Sequence, residues 1–310
     1  MRHFLIDTDT ASDDAVAMLM ALREPSVRVE AVTVVAGNCP LNVCVRNALI
    51  TIEKANTYTP PVYAGRHGPM LRPLVTAEFV HGQDGMGDMD LPEPALKAAN
   101  GHAVNAIIET ARRFPGELEV VTLGPLTNLA LALLMEPQLE DWIKRVYVMG
   151  GGGLGPGNMS PVAEFNFMVD AEAVHVLLSS KVPKSIVGWD VCQADDAYIH
   201  PQDIERLKAS SELGRFVVRC NETLIQFNHQ LGLEGFDLPD PTTVAAALYP
   251  EMITRQFESY TYVDHQSDKG YGQFVVDFQR LTTEKENATI VASLDGQMFK
   301  DKLIELLADQ

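Results

Sequence analysis

The stretch Phe4-Leu5-Ile6-Asp7-Thr8-Asp9-Thr10-Ala11-Ser12-Asp13-Asp14-Ala15-Val16-Ala17-Met18-Leu19-Met20-Ala21-Leu22 sets the fold class and carries much of the chemistry. Phe4 to Thr8 reads as a buried strand and Asp13 to Leu22 as a helix. Strand periodicity puts Asp7 and Asp9 on one side, and a short turn delivers Asp13 and Asp14 at the helix start. Four carboxylates within eight residues repel one another unless a cation or shared protons offset them. Hard oxygen donors with no Cys or His nearby favour Ca²⁺ or Mg²⁺ over zinc. Two acids at a helix start also complement its dipole, but the Asp-x-Asp at the strand end has no place in that role. An EF-hand is excluded, because the sixth loop position is Ser12 instead of Gly and the twelfth is Met18 instead of Glu.

Outward from this stretch, β-type and helical runs alternate. Val29 to Val35 is a strand ending at Gly37-Asn38, and Leu41 to Lys54 a helix. His102 to Arg113 is helical, and Leu118 to Leu123 is a strand stopped by Gly124-Pro125. Arg145 to Met149 is a strand stopped by four glycines, Asp170 to Ser180 is helical, and Ser185 to Val187 is a short strand. The chain is mostly helical from Asp190 to Tyr249, then β-rich from Tyr260 to Val276, and closes on a strand and a helix. This order predicts an α/β fold: one domain over 1–310, an open, mainly parallel (mixed) sheet with helices on both faces, and a helical elaboration around 195–250. In such sheets ligands bind beyond the carboxyl ends of the strands. Those ends are Asp7-Thr8-Asp9, Gly37-Asn38, Leu123-Gly124 and Met149-Gly150.

Composition narrows the partners. Among 310 residues, 42 acidic against 24 basic side chains give a net charge of −18. The longest basic run is the pair Arg112-Arg113, so the chain lacks the cationic cluster that a nucleic-acid backbone requires. No apolar stretch approaches the roughly 20 residues of a membrane span. The opening residues lack the apolar core of a secretory signal. Cys39, Cys44, Cys192 and Cys220 form no Cys-x-x-Cys pair, so neither zinc nor a disulfide framework is indicated. The expectation is a cytoplasmic protein acting on a small molecule, with no nucleic-acid or membrane partner.

Asp7-Thr8-Asp9-Thr10-Ala11-Ser12-Asp13-Asp14-Ala15 resembles the DxDxxxDDA signature of the inosine–uridine nucleoside hydrolase family. The resemblance continues through Val35-Ala36-Gly37-Asn38, His81-Gly82-Gln83-Asp84-Gly85 and Gly124-Pro125-Leu126-Thr127-Asn128. It then takes in Met149-Gly150-Gly151, Glu164-Phe165-Asn166 and Asp240-Pro241. These blocks are ordered along most of the chain, and their combination is far more specific than any one of them.

The resemblance implies a nucleoside hydrolase (Rossmann-like) fold, a Ca²⁺ cofactor and hydrolysis of the N-glycosidic bond of ribonucleosides. It implies Asp9, Asp14, Asp240 and the backbone carbonyl of Leu123 as calcium ligands, with Asp7 as a supporting carboxylate. Asp9 would be the general base. Asp13 and Asn38, assisted by Asn166, would hold the 2′- and 3′-hydroxyls. Glu164 and Asn158 would take the 5′-hydroxyl, with Met149 and Phe165 at the substrate. His81 would contact the base. A homo-oligomer, dimer or tetramer, is implied as well.

The sequence departs from the pattern at one point. Relatives that cleave inosine and uridine often have His directly before the third calcium-binding Asp, where this chain has Pro239, which cannot titrate. The candidates to protonate the departing base lie in Leu213 to Gly235, with His229 and Asn228 first among them. Two other classes compete. A haloacid-dehalogenase-like phosphatase would use Asp7-Thr8-Asp9-Thr10 as its nucleophile motif but leaves Asp13-Asp14 and Glu164-Phe165-Asn166 without a role. A non-catalytic nucleoside- or ribose-binding protein would explain Pro239 but not the retained Asp9.

Overall fold

The computed structural model describes residues 1–308. Ten strands run in chain order: β1 Arg2–Thr8, β2 Val27–Val34, β3 Val62–Ala64, β4 Leu118–Thr122, β5 Ile143–Met149, β6 Lys184–Val187, β7 Ile253–Ser259, β8 Thr261–Val263, β9 Phe274–Val276 and β10 Ala288–Leu294. Eight of them form one sheet in the order β3-β2-β1-β4-β5-β6-β10-β7, and β8 pairs with β9 in a separate antiparallel pair. All neighbours in the large sheet are parallel except β7, which runs antiparallel to β10 at one edge. The α/β architecture with a mainly parallel, mixed sheet is as the alternation of elements predicts.

Side-chain alternation along the central strands splits the core in two. On β1, Phe4 and Ile6 enter one core and Leu5 the other; on β5, Tyr147 and Met149 oppose Val146 and Val148. The first core packs under the helices Ser12–Arg23, Leu41–Ala55, Glu212–Cys220, Pro239–Leu248 and Gly296–Leu307. The second packs under Ala103–Arg113, Thr127–Met135 and Ala171–Ser179. Helices therefore cover both faces, which matches the apolar stretch Phe4-Leu5-Ile6 in β1 and the burial of every residue of β4.

The helix Ser12–Arg23 lies at the centre of the first core. From Ser12 to Leu22 every residue is buried, because four other helices and β2 surround it. A helix apolar on all sides has no solvent face to present, and Ala15-Val16-Ala17-Met18-Leu19-Met20-Ala21-Leu22 is such a sequence.

The structure departs from the sequence reading at two places. The sheet gains β3, whose three residues are too few to show a period. The β-rich segment begins earlier than Tyr260: β7 belongs to the large sheet, and its exposed Thr254, Arg255 and Gln256 are those of an edge strand, polar enough to hide its pairing. The region after Asp190 is helical as read, through Pro201–Ser210, Glu212–Cys220, Glu222–Gln230 and Pro239–Leu248. Glu164 caps a short helix, Phe165–Val169, by accepting from the N–H groups of Asn166 and Phe167.

Candidate active site

The carboxyl ends of β1, β2, β4 and β5 converge, and the acidic cluster sits where they meet. Asp7, still within β1, shares Leu5's side of the sheet. Its Oδ1 accepts from Thr33 Oγ1 at 2.6 Å and Asn128 Nδ2 at 2.9 Å. Burial raises its carboxyl to about 7 against these two donors. Asp9 lies just past the strand and is fully buried; its Oδ2 accepts the Asn38 backbone N–H at 2.6 Å. Gly37 and Gly124 flank it so closely that a β-carbon at either would overlap its carboxylate oxygens. That close approach is why the strand ends carry glycine.

Asp14 is tied in place from three directions. Thr8 Oγ1 donates to its Oδ1 at 2.5 Å, while the Ala11 N–H and Asn38 Nδ2 donate to its Oδ2 at 2.9 and 3.2 Å. The Ala11 contact is half of a capping box, so one side chain both caps the helix and faces the cluster. Asp240 arrives from the start of the helix Pro239–Leu248, which packs directly on Ser12–Arg23. Asp13, Asp14 and Asp240, all buried, bring one oxygen each within 4.8 Å of one another.

The electrostatics are those of an uncompensated cluster. Burial, then the Asp14 charge, pushes Asp9 well above the usual carboxylate range. Asp240 is raised by burial and then by Asp13, Asp14 and Asp9. Asp13 is pushed up to about 7 by burial and Asp14 to about 6 by burial and the neighbouring Asp13. Among the described residues, Asp7 Oδ2, Asp9 Oδ1 and Asp13 Oδ1 are buried with no hydrogen-bond partner. Unpartnered buried oxygens are costly, and an all-oxygen donor set of this charge fits a hard divalent cation. The residues present therefore suit calcium. The Leu123 carbonyl lies beside them, accepting from Asn166 Nδ2 at 2.8 Å.

A cavity opens above the cluster. Of the residues singled out in the sequence, Asp13, Asn38, His81, Leu123, Met149, Asn158, Glu164, Phe165, Asn166, Asn228 and Asp240 line it; Asp9 and Asp14 are fully buried at the ends of the same elements. The Asn166 amide also reaches Met149 Sδ at 3.2 Å and so joins the ends of β4 and β5. Glu164 accepts the Gly151 and Asn166 N–H groups at 2.7 and 2.8 Å, and burial raises it to about 7. Asn158 Oδ1 holds the Phe165 N–H at 2.9 Å. His81 is buried, its Nδ1 2.8 Å from Ser12 Oγ, and burial lowers it to about 4. Burial thus favours its neutral form, and its Nδ1 lies 3.8 Å from Asp13 Oδ1.

One expected residue does not join them. His229 lies on the exposed side of the helix Glu222–Gln230, away from the cavity wall to which Leu224, Phe227 and Asn228 contribute. The helical period explains it: Leu224, Phe227 and Asn228 fall on one face at spacings of three and four, and position 229 turns outward. The phosphatase reading also fails, because Asp7, its required nucleophile, is locked by Thr33 and Asn128 outside the cavity wall. Sequence reasoning missed Asp237 and Trp189, both on the wall. Trp189 was findable, since it follows the end of β6 as the other site residues follow theirs. Asp237 sits in a loop with no periodic signal.

A family model described as "Inosine-uridine preferring nucleoside hydrolase" matches residues 4–301. The chain belongs to that family. It is 36% identical over 309 residues to the "Pyrimidine-specific ribonucleoside hydrolase RihA" of Escherichia coli O9:H4 (strain HS), covering 99% of this chain and 97% of that one. Among solved structures, it resembles a plant nucleoside hydrolase with a TM-score of 0.93 at 26% identity, covering 100% of this chain and 99% of the other. It also resembles the purine-preferring ribonucleoside hydrolase of Gardnerella vaginalis, with a TM-score of 0.91 at 26% identity and 99% and 98% coverage. The names of these relatives divide over the base, so membership in the family leaves base preference to be argued from the cavity wall.

Proposed function

We propose that this chain is a ribonucleoside hydrolase that cleaves the N-glycosidic bond to give ribose and free base, with Ca²⁺ held by Asp9, Asp14, Asp240 and the Leu123 carbonyl. The observation that carries the reading is the buried carboxylate cluster, in which Asp13, Asp14 and Asp240 bring one oxygen each within 4.8 Å and Asp9 Oδ1 and Asp13 Oδ1 have no partner, set under a cavity in a chain of this family. When bound, the ion supplies Lewis-acid polarisation and a fixed positive charge that offsets the cluster. Asp9, with Oδ1 free, would take the proton of the attacking water. The sugar becomes oxocarbenium-like as the bond breaks, and the surrounding anionic groups favour that positive charge.

Asp13, Asn38 and Asn166 would hold the 2′- and 3′-hydroxyls, and Glu164 and Asn158 the 5′-hydroxyl. Met149 and Phe165 would pack against the substrate, and neutral His81 would face the base. Buried groups placed to bond sugar hydroxyls reject substrates that lack them, because their own bonds would go unmade. Phe79, Phe227, Leu224 and Trp189 also line the cavity, and their apolar surfaces suit a planar heterocycle. The reading extends to a homo-oligomer, checked by sedimentation velocity, and to a reducing cytoplasm, which suits four buried free cysteines. No helix among the described residues is long and apolar enough to cross a membrane.

The test is reducing-sugar release from a panel of ribonucleosides, with and without a calcium chelator. Release that needs calcium and is lost in Asp9→Ala is the expected result. Saturable nucleoside binding with no release by the unmodified chain would replace this reading with that of a binding protein.

A further inference from the structure

The aromatic side of the cavity contains few polar groups, and two of them can be read atom by atom. Asn228 uses its amide nitrogen twice, donating to the Gly235 carbonyl at 3.1 Å and to the Tyr198 hydroxyl oxygen at 3.2 Å. A carbonyl only accepts, so the Gly235 contact fixes which end of the amide is nitrogen. What Asn228 has left for a ligand is its Oδ1, an acceptor. Asp237 follows Gly235 by two residues and also lines the cavity. Its carboxyl is anchored through Oδ2 by the Trp189 indole N–H at 2.8 Å, with the Cys192 thiol at 3.7 Å from the same oxygen. Neither residue belongs to the sugar-facing set or to the cation ligands assigned above.

We infer that Asp237 and Asn228 together select ribonucleosides whose base carries an exocyclic amine. This rests on the hydrolase reading above and adds to it the substrate class. An exocyclic amine carries two N–H bonds and so offers one hydrogen to each of the two acceptors. Cytosine and adenine present such an amine where uracil and hypoxanthine present a keto oxygen. A keto oxygen there meets two oxygens, leaving buried acceptors unsatisfied and lone pairs opposed. The selection runs across ring size: it separates cytidine from uridine and adenosine from inosine, and does not separate pyrimidines from purines. It also gives Trp189 a positioning role, since its indole N–H fixes the Asp237 carboxyl.

The experiment measures kcat/KM for cytidine, uridine, adenosine and inosine with the calcium-loaded chain and with Asp237→Asn. The amide can still accept from Trp189 through its oxygen while turning N–H donors to the cavity. Both members of each pair are read on one preparation, so any loss of folded protein cancels in the ratio. The expected result is a preference for cytidine over uridine and adenosine over inosine, falling by about 10-fold or more in both ratios in the variant. Trp189→Phe should move the ratios the same way by less. A chain that prefers uridine and inosine, or ratios that Asp237→Asn leaves within about twofold, overturn this inference while ribose release upholds the hydrolase reading. Absence of release from all four nucleosides overturns the hydrolase reading, and this inference with it.

Discussion

The floor and the wall of the cavity are built on different principles. The floor hangs from the ends of parallel strands and the first turn of a buried helix, so its carboxylates are held by backbone that cannot shift without disturbing the core. The wall comes from the segment around Phe79 to His81, the helix Glu222–Gln230 and the loop at Asp237, which lie outside the large sheet. They are tied to the rest by side chains and a few backbone bonds, from the Ala77 N–H to the Asn38 carbonyl and between Ile199 and Phe236. Phe79 and Phe227 meet edge to face across it at 5.9 Å between ring centroids, and Phe79 is half exposed. On the proposed reading, chemistry that every substrate shares sits on the strand ends and the buried helix, and discrimination between substrates sits on elements outside the sheet.

The comparison can be broken most severely at the floor. Asp9→Ala should lower kcat by about 10²- to 10⁴-fold, the usual contribution of a positioned base, on every accepted nucleoside alike. A loss that differs sharply between bases would mean that floor and wall are not separate.

The second prediction concerns pH without metal. Asp7, Asp13 and Glu164 are raised to about 7 and Asp14 to about 6 in the fold, above their unfolded values. Between the unfolded and folded pKa values the folded chain binds more protons, so stability falls as pH rises. The thermal midpoint of the chelated protein should therefore drop by several degrees from pH 5 to pH 7, and millimolar calcium should remove most of that drop. A midpoint that rises over this window, measured by calorimetry, would contradict the buried, unneutralised cluster.

Gly124→Ala sharpens the same point sterically. Its methyl group would overlap the Asp9 carboxylate, and forcing an extra carbon into packed structure costs about 1–3 kcal/mol. The expected result is a lower midpoint with a disproportionate loss of turnover; unchanged turnover would show that the floor has slack. The smallest effect belongs to His229→Ala. An exposed side chain off the cavity should change stability by less than about 0.5 kcal/mol, with kcat unmoved; a large fall in kcat would return this histidine to the wall.

The same division governs what the sequence reveals. β1, β2, β4 and β5 are legible because burial on both faces makes their central residues apolar, as in Phe4-Leu5-Ile6 and Val146-Tyr147-Val148-Met149, and Gly37, Gly124 and Gly150 follow three of them. The acidic residues at those ends are therefore legible too, as a cluster with a chemical problem to solve. β7 was hidden because an edge strand tolerates Thr254, Arg255 and Gln256. Asp237 was hidden for a related reason: its partner Trp189 is 48 residues distant, and no local pattern encodes that meeting. His229 is the converse case: its chemistry suits an acid, but the helical period turns it to solvent.

The helix Ser12–Arg23 bears Asp13 and Asp14 at its start and is enclosed on all sides along its length. An element so enclosed has no way to fray separately, so its amide hydrogens should exchange with solvent only when the whole molecule unfolds. The seat for the cation would then share its lifetime with the native state itself. Phe79 and Phe227 stand at the cavity instead, where substitution can change the passage of substrate and product while the seat stays as it is.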